Sequence, residues 1–376
     1  MEYKRLGDIA TYINGYPFKP GDRGSYGLPI IRIQDLTGNS YDLGFYAGQY
    51  PDRIEINDGD VLISWSASLG VYLWNRGKAL LNQHIFKVVF DKVAIDKQYF
   101  MYAVQHKLKE MESKAHGATM KHIVKKDFDD MAVPFPALER QVEIASTLSK
   151  VANIIDMHQQ QLSALDDLIK ARFVEMFGDE TNPYQWPVVN VEDVANVSVG
   201  VVIKPAQYYT DAEHGVKAFR SLNIGAGTIN DSDWVYFSHE GNDKNSKSQL
   251  RENDLLIVRS GAPGTACVVP KIYEGCNAID IIIARPETDK VNPHFLCTFT
   301  NLPHGKRQID EGTGGAAQQH FNVGKYNKLQ LMLPPLEQQN EFVSFLAQID
   351  KSKSVIQKSL DETQVLFDSL MQKYFG

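Results

Sequence analysis

Cysteine is scarce in this 376-residue chain and apolar runs of membrane length are missing, and each shortage removes a class of protein. Cys267, Cys276 and Cys297 are odd in number and lack close CxxC spacing, so neither a disulfide framework nor a zinc finger is expected, and reduced thiols in strands are the simpler reading. No stretch approaches the roughly 20 apolar residues of a membrane helix. The opening MEYKRLGDIA also lacks the apolar core of a signal peptide, which points to a cytoplasmic protein with no membrane partner. Catalytic signatures are missing too. There is no GxxxxGK[ST] phosphate loop, no GxGxxG turn after a strand, no HExxH and no GxSxG elbow. NPYQW at Asn182 lacks the second proline of an adenine methyltransferase tetrapeptide, and PDRIEINDGD lacks the lysine of a metal-dependent nuclease. The ten histidines show no metal-ligand spacing that recurs, so no metal and no catalytic residue are expected.

An excess of base is missing as well. The formal net charge of −7 speaks against a nucleic-acid binder until its distribution is followed. Residues 139–180 carry eight acids against four bases and residues 337–376 six against four, which leaves the rest of the chain nearly neutral. Within that rest, residues 105–126 hold six lysines and two glutamates. A local basic patch of this kind can meet DNA when a partner supplies further phosphate contacts.

What the sequence does have is a phrase written twice. VPFPALERQVEIASTL begins at Val133 and LMLPPLEQQNEFVSFL at Leu331, and the pairs Leu138/Leu336, Gln141/Gln339, Leu148/Leu346 and Phe177/Phe375 all stand 198 apart. Toward each N-terminal side the offset shrinks in steps, as loop insertions would cause: His122/His320 at 198, Asn82/Asn277 at 195, Arg32/Arg220 at 188 and Leu6/Val191 at 185. The chain therefore reads as two tandem units, each a variable α/β body followed by a helix of fixed length. Two copies point to pseudo-twofold symmetry rather than to a solenoid. The expected division is 1–135 body one, 136–180 helical region one, 181–333 body two and 334–376 helical region two.

DVLISW, HIFKVVF, DLLIVR and AIDIIIARP are short β-rich runs between Gly, Asn and Asp punctuation, and DKQYFMYAVQHKLKEMESKA reads as helix. Its counterpart NPHFLCTFTNLPHGKRQID must stop or bend at Pro303. The proline leads FPALE and PPLEQ suit helix starts, because proline has no amide hydrogen to leave unpaired there. Along the first long helix Leu148, Val151, Ile155, His158, Leu162, Leu165, Ile169, Arg172 and Met176 alternate at spacings of three and four. Ile349, Ile356, Leu360, Thr363, Phe367, Leu370 and Tyr374 keep the same phase in the second. This is a coiled-coil seam. Two equal rods of roughly 50 Å most simply pair antiparallel, with a body at either end. His158 and Arg172 are either register devices or signs that further helices join.

Function is sought in what recurs in the bodies. VLISWSASLG and LLIVRSGAPGTA both end a strand in small and hydroxylated residues, Ser64 and Ser66 in one and Ser260 in the other, with Trp65 and Arg259 at the same place. Small residues let backbone amides approach a phosphate, while an arginine there can read guanine with two hydrogen bonds. Ahead of each long helix, HGATMKHIVKKDF and EGTGGAAQQHFNVGKY supply Lys121, His122, Lys125, Gln318, Gln319 and His320, types suited to phosphates and adenine edges. Arg32 and Gln34 in IIRIQDL, and Arg220 and Asn223 in AFRSLNI, complete the candidate DNA-contact set.

With IIRIQDL, GDVLISWSASLG, ENDLLIVRSGAPGT, GTGGAAQQHF and the doubled P-x-LE-x-Q phrase in this order, the whole chain resembles the specificity (S) subunit of Type I restriction-modification systems. That resemblance implies two target recognition domains, each reading one half of a bipartite double-stranded DNA site, and paired helices that set the unread spacer. It implies no chemistry and no cofactor on this chain. Two modification (methyltransferase) subunits using S-adenosylmethionine would dock on the helices, and restriction (motor-nuclease) subunits using ATP and Mg would join them. Because Trp65 faces Arg259, and Lys121 and His122 face Gln319 and His320, an asymmetric target is expected. The competing reading from the residues alone is a non-catalytic coiled-coil scaffold whose α/β bodies bind proteins.

Overall fold

The computed structural model describes residues 2–39, 42–114, 123–313 and 321–376, and the chain divides into two compact units, Met1–Gln160 with Gln357–Gly376 and Gln161–Ile356. The strands of the first unit are β1 (Tyr3–Arg5), β2 (Thr11–Asn14), β3 (Leu28–Ile31), β4 (Phe45–Tyr46), β5 (Glu55–Ile56), β6 (Val61–Ser64), β7 (Gly70–Leu73), β8 (Ala79–Leu81), β9 (Ile85–Val89) and β10 (Ala132–Pro134). They form sheets in the orders β2-β9-β6-β7 and β4-β3-β8-β5, plus the ladder β1-β10. Helices α1 (Leu6–Ile9), α2 (Ile33–Leu36), α3 (Lys97–Lys114), α4 (Lys125–Asp130) and the first part of α5 (Leu138–Phe177) accompany them.

The second unit repeats this plan. Its strands are β11 (Val188–Asn190), β12 (Ala195–Val199), β13 (Tyr209–Thr210), β14 (Gly215–Phe219), β15 (Val235–Ser238), β16 (Leu255–Val258), β17 (Ala266–Val268), β18 (Asn277–Ala278), β19 (Ile281–Pro286) and β20 (Gln330–Met332). The orders are β12-β19-β16-β17 and β13-β15-β14-β18, with the ladder β11-β20. Helices α6 (His239–Lys244), α7 (Pro293–Asn301), α8 (Pro303–Thr313), α9 (Val323–Asn327) and the first part of α10 (Leu336–Phe375) belong to it. The break between α7 and α8 falls at Pro303, as the ring requires.

Each first sheet is built on a strand with no exposed face. Val61–Ser64 and Leu255–Val258 are buried throughout, because each lies between two neighbours in the ladder and is covered on both sides. The second sheets carry a parallel strand pair in each unit, Ile31 opposite Leu81 and Phe219 opposite Ala278. These registers correct one pairing of the repeat. Leu81 is equivalent to Ala278, and Asn82, bridged to Tyr16, to Ile279, bridged to Val201. Asn82 therefore does not correspond to Asn277. The chain between the parallel strand and the next is one residue shorter in the second unit, 279–280 against 82–84.

The phrase written twice has a concrete job in each unit. Gln141 and Gln339 are buried at 1% and 0% exposure. The Gln141 carbonyl accepts from the Asp96 N–H at 3.0 Å while its amide donates to the Pro136 carbonyl at 2.8 Å. Gln339 repeats both bonds with the Asn292 N–H at 2.8 Å and the Pro334 carbonyl at 2.7 Å. One side chain thus ties the proline lead to the entrance of α3 or α7. The prolines lie ahead of the first helical residues Leu138 and Leu336, so they serve as acceptors in the lead rather than as first-turn residues.

The long helices pair antiparallel inside each unit. In the first, Leu148 of α5 shares a core with Tyr12, Phe86, Phe100, Phe128 and with Phe367, Leu370, Met371 and Phe375 of α10, while Val151 and Ile155 are buried just beyond it. In the second, Ile169, Phe173, Met176 and Phe177 meet Phe342 and Leu346 in a core that also holds Phe295, Phe299 and Tyr326. The rings of Phe173 and Phe342 pack edge to face at 5.4 Å. Ile349 is buried, and Leu162, Leu165, Ile356, Leu360 and Thr363 are half-buried. Arg172 reaches Glu341 at 3.2 Å and Lys353 pairs with Asp166, so Arg172 makes a register contact within the helix pair.

Candidate nucleic-acid interface

The buried strands β6 and β16 are followed directly by Trp65 and Arg259, and both strand ends are held by the same backbone contact. The Ile123 N–H donates to the Trp65 carbonyl at 2.9 Å and the Phe321 N–H to the Arg259 carbonyl at 3.0 Å. The loop that precedes α4 or α9 is thereby stitched to the strand end. Lys121, His122, Gln318, Gln319 and His320 lie outside the described residues. Lys125, at the start of α4, is exposed and pairs with Asp129 at 2.5 Å.

The side chains at the two strand ends differ. Trp65 stacks on Phe86 at 5.6 Å with 22° between planes and meets His84 edge-on at 4.9 Å. Arg259 donates from Nε to the Phe321 carbonyl at 3.2 Å and forms an ion pair through Nη1 with Asp280, its side chain retaining 17% exposure. His84 and Asp280 occupy equivalent places, one residue before β9 and β19, and both adopt the left-handed conformation, with φ of 72° and 51°. That conformation is disfavoured for residues other than glycine. Nothing in the sequence marks either residue, because neither the positive φ nor the pairing shows in residue type.

The turns that follow are fixed from behind. Ser64 is fully buried and its hydroxyl donates to the Ser68 carbonyl at 2.5 Å. In the second unit Gly261 and Gly264 have φ of 89° and 75°, and Lys306 of α8 donates from Nζ to the Pro263 carbonyl at 3.1 Å and to Thr265 Oγ1 at 3.3 Å. Burial pushes the Lys306 ammonium down from its ordinary pKa, partly offset by Asp310. Ser66 and Ser260 are half-buried at the turn itself.

Arg32 and Arg220 sit at a second matched point, the end of β3 and β14. The Arg32 N–H donates to Asp35 at 2.8 Å and the Arg220 N–H to Asn223 at 2.9 Å, closing the same short turn. Arg32 pairs with Asp35 at 3.1 Å, the two side chains keeping 10% and 2% exposure. Arg220 pairs with Asp233 at 3.2 Å and is more open. Asn223 is fully buried, its amide donating to the carbonyls of Asn230 and Ser232 at 3.2 Å and 2.9 Å. The structure thus places Arg32, Ser64 and Asn223 in the frame behind the surface, while Gln34 and Lys125 are exposed and Trp65, Arg220 and Arg259 stand half-open.

Other chemistry is not assembled here. Among the described residues no group of three or more His, Cys, Asp or Glu side chains could hold a metal ion, and no helix is long and apolar enough to cross a membrane. The three cysteines are buried and free; burial raises Cys276 to about 11 and Cys267 to about 12, and pushes Cys297 up further, so all three stay protonated.

Fold and site together define a class: an internally duplicated α/β protein in which one backbone frame presents two different sets of side chains. Residues 1–167 and 183–363 match the family model described as the Type I restriction modification DNA specificity domain, and the chain belongs to that family. It is 22% identical over 394 residues to the Type I restriction enzyme EcoBI specificity subunit of Escherichia coli, covering 98% of this chain and 83% of that protein. To the MjaVIII specificity subunit of Methanocaldococcus jannaschii it is 21% identical over 391 residues, covering 96% and 89%. Among solved structures it is similar to the S subunit of a Type I system from M. genitalium, at 14% identity and a TM-score of 0.53 over 100% of this chain and 96% of that one. It is also similar to a chain from a study of complex assembly and conformational transition of the type I R-M system, at 15% identity and a TM-score of 0.57 over 99% and 97%. At such identities the two structures speak for the fold.

Proposed function

We propose that this chain is the DNA-reading subunit of a Type I restriction-modification complex and carries no catalytic residue, metal or cofactor of its own. One observation carries the reading: the frame at the strand ends is the same in both units, yet it presents an aromatic pair in one and an arginine–aspartate pair in the other. Two readers built alike and tipped differently suit a bipartite, asymmetric site, each recognition domain (1–135 and 181–333) taking one half. Trp65, Ser66, Lys125 and Gln34 in the first, and Arg259, Ser260 and Arg220 in the second, are the proposed contacts, with Lys121, His122, Gln318, Gln319 and His320 added from the two loops. Arg32, Ser64 and Asn223 support them from behind. Helical regions 136–180 and 334–376 would set the spacer and dock two methyltransferase subunits. S-adenosylmethionine, ATP and Mg would be bound by the methyltransferase and motor-nuclease partners in the cytoplasm.

The experiment is a genome-wide map of methylated adenines with and without this gene. Loss of one asymmetric bipartite motif on deletion is the expected outcome. An unchanged map in a cell whose methyltransferase partner is demonstrably active would reject the reading in favour of a protein-binding scaffold.

A further inference from the structure

We infer that Asp280 is a positioning residue for Arg259, and His84 for Trp65, so that residues 65 with 84 and 259 with 280 act as coupled pairs that set which base each unit accepts. The inference rests on the DNA-reading role proposed above and adds the two residues through which it is exercised.

The duplication supplies an internal control. At two positions that hold the body together the copies agree: Gln141 and Gln339 make the same two bonds, and Gly15 and Gly200 both lie close to the equivalent carbonyl, where an added Cβ would stand 2.6 Å and 2.2 Å from the oxygens of Leu81 and Ala278. At the strand ends the frame agrees and the chemistry does not. The carbonyls of Trp65 and Arg259 receive the same loop N–H, and His84 and Asp280 keep the same left-handed backbone. The side chains have changed together, ring with ring in one unit and cation with acid in the other. The backbone bond that anchors the loop is the same in both units, so the anchor does not call for the change of side chains.

The physical consequence differs between units. Phe321 and Asp280 engage Arg259 through Nε and Nη1, which fixes the plane of a planar donor fork in advance of binding. A fork so held can offer paired donors to the O6 and N7 acceptors of guanine. Trp65, clamped between Phe86 and His84, offers instead a rigid apolar edge, which suits the methyl group of thymine.

The test alters the chromosomal gene in the native cell and reads the methylated-adenine motif. Asp280→Asn and Arg259→Ala are each expected to relax the same single position of one half-site about tenfold or more, leaving the other half-site as it was. Asp280→Glu is expected to restore part of the preference, and His84→Gln to relax one position in the opposite half-site only. An unaltered motif in Asp280→Asn and His84→Gln would overturn the inference. So would an equal loss of methylation at every position, with no change of motif in Asp280→Glu. If the wild-type gene itself directs no bipartite motif, the DNA-reading role fails instead, so the two failures are told apart.

Discussion

Gln339 shows how much a single repeated letter can hold. It is fully buried, and replacing it with leucine leaves the Asn292 N–H and the Pro334 carbonyl without partners in a site closed to water. Gln339→Leu is expected to cost about 1–3 kcal/mol, seen as a lower urea midpoint for the second unit; an unchanged midpoint would mean that water replaces the side chain. Gly200→Ala acts by crowding, since its Cβ would meet the Ala278 carbonyl at 2.2 Å and the backbone must move. A loss of about 1–3 kcal/mol is expected from thermal or urea unfolding. At this scale the sequence is legible where copies agree and silent where they differ. The doubled glutamine announces a structural duty, whereas His84 and Asp280 are ordinary polar letters until the fold turns their backbones left-handed. Asn82 and Asn277 are a caution of another kind. Both accept from the N–H of the next residue, Ala278 at 3.1 Å and Gln83 at 2.9 Å, but Asn277 is also buried among Ser248 and Asn242 at 2.7 Å and 3.0 Å, and the strand registers place the two asparagines at different points of the repeat.

At the scale of elements, α5 and α10 each run for 40 residues, which is about 60 Å of helix. Removing one heptad from both, around Leu162 and Leu360, keeps the seam in phase and shortens the rod by about 10 Å, or roughly three base pairs of duplex. The methylated motif is then expected to keep both half-sites and lose about that much spacer. Altered half-sites with the old spacer would show that the helices are not the ruler. The seam was readable in advance because a period of three and four survives even where the residues are half-exposed. Pro303 likewise announced the gap between α7 and α8. The second sheets are harder to read, since their strands are two to five residues long and the edge strand differs between units: β5, which follows β4, pairs with β8 in the first, and β13, which precedes β14, pairs with β15 in the second. Strands that short draw their identity from neighbours rather than from any period of their own.

For the whole molecule, duplication makes the readers interchangeable in principle. Grafting residues 181–333 in place of 1–135 preserves the glutamine bonds that meet each long helix. The hybrid is expected to direct methylation to a motif with two identical halves, checked by the same adenine map; a hybrid that methylates the original asymmetric motif would refute independent reading. The division of the chain has another consequence, for synthesis. The first unit is assembled from residues 1–160 and 357–376, and Met371 and Phe375 lie in its core beside Tyr99 and Leu148. The second unit, 161–356, is continuous. A ribosome makes most of the first body before it makes the second, yet the first body must wait for residues 357–376 to close its core. The unit begun first is thus the unit finished last, and it is the one exposed to aggregation and proteolysis for the longest part of translation.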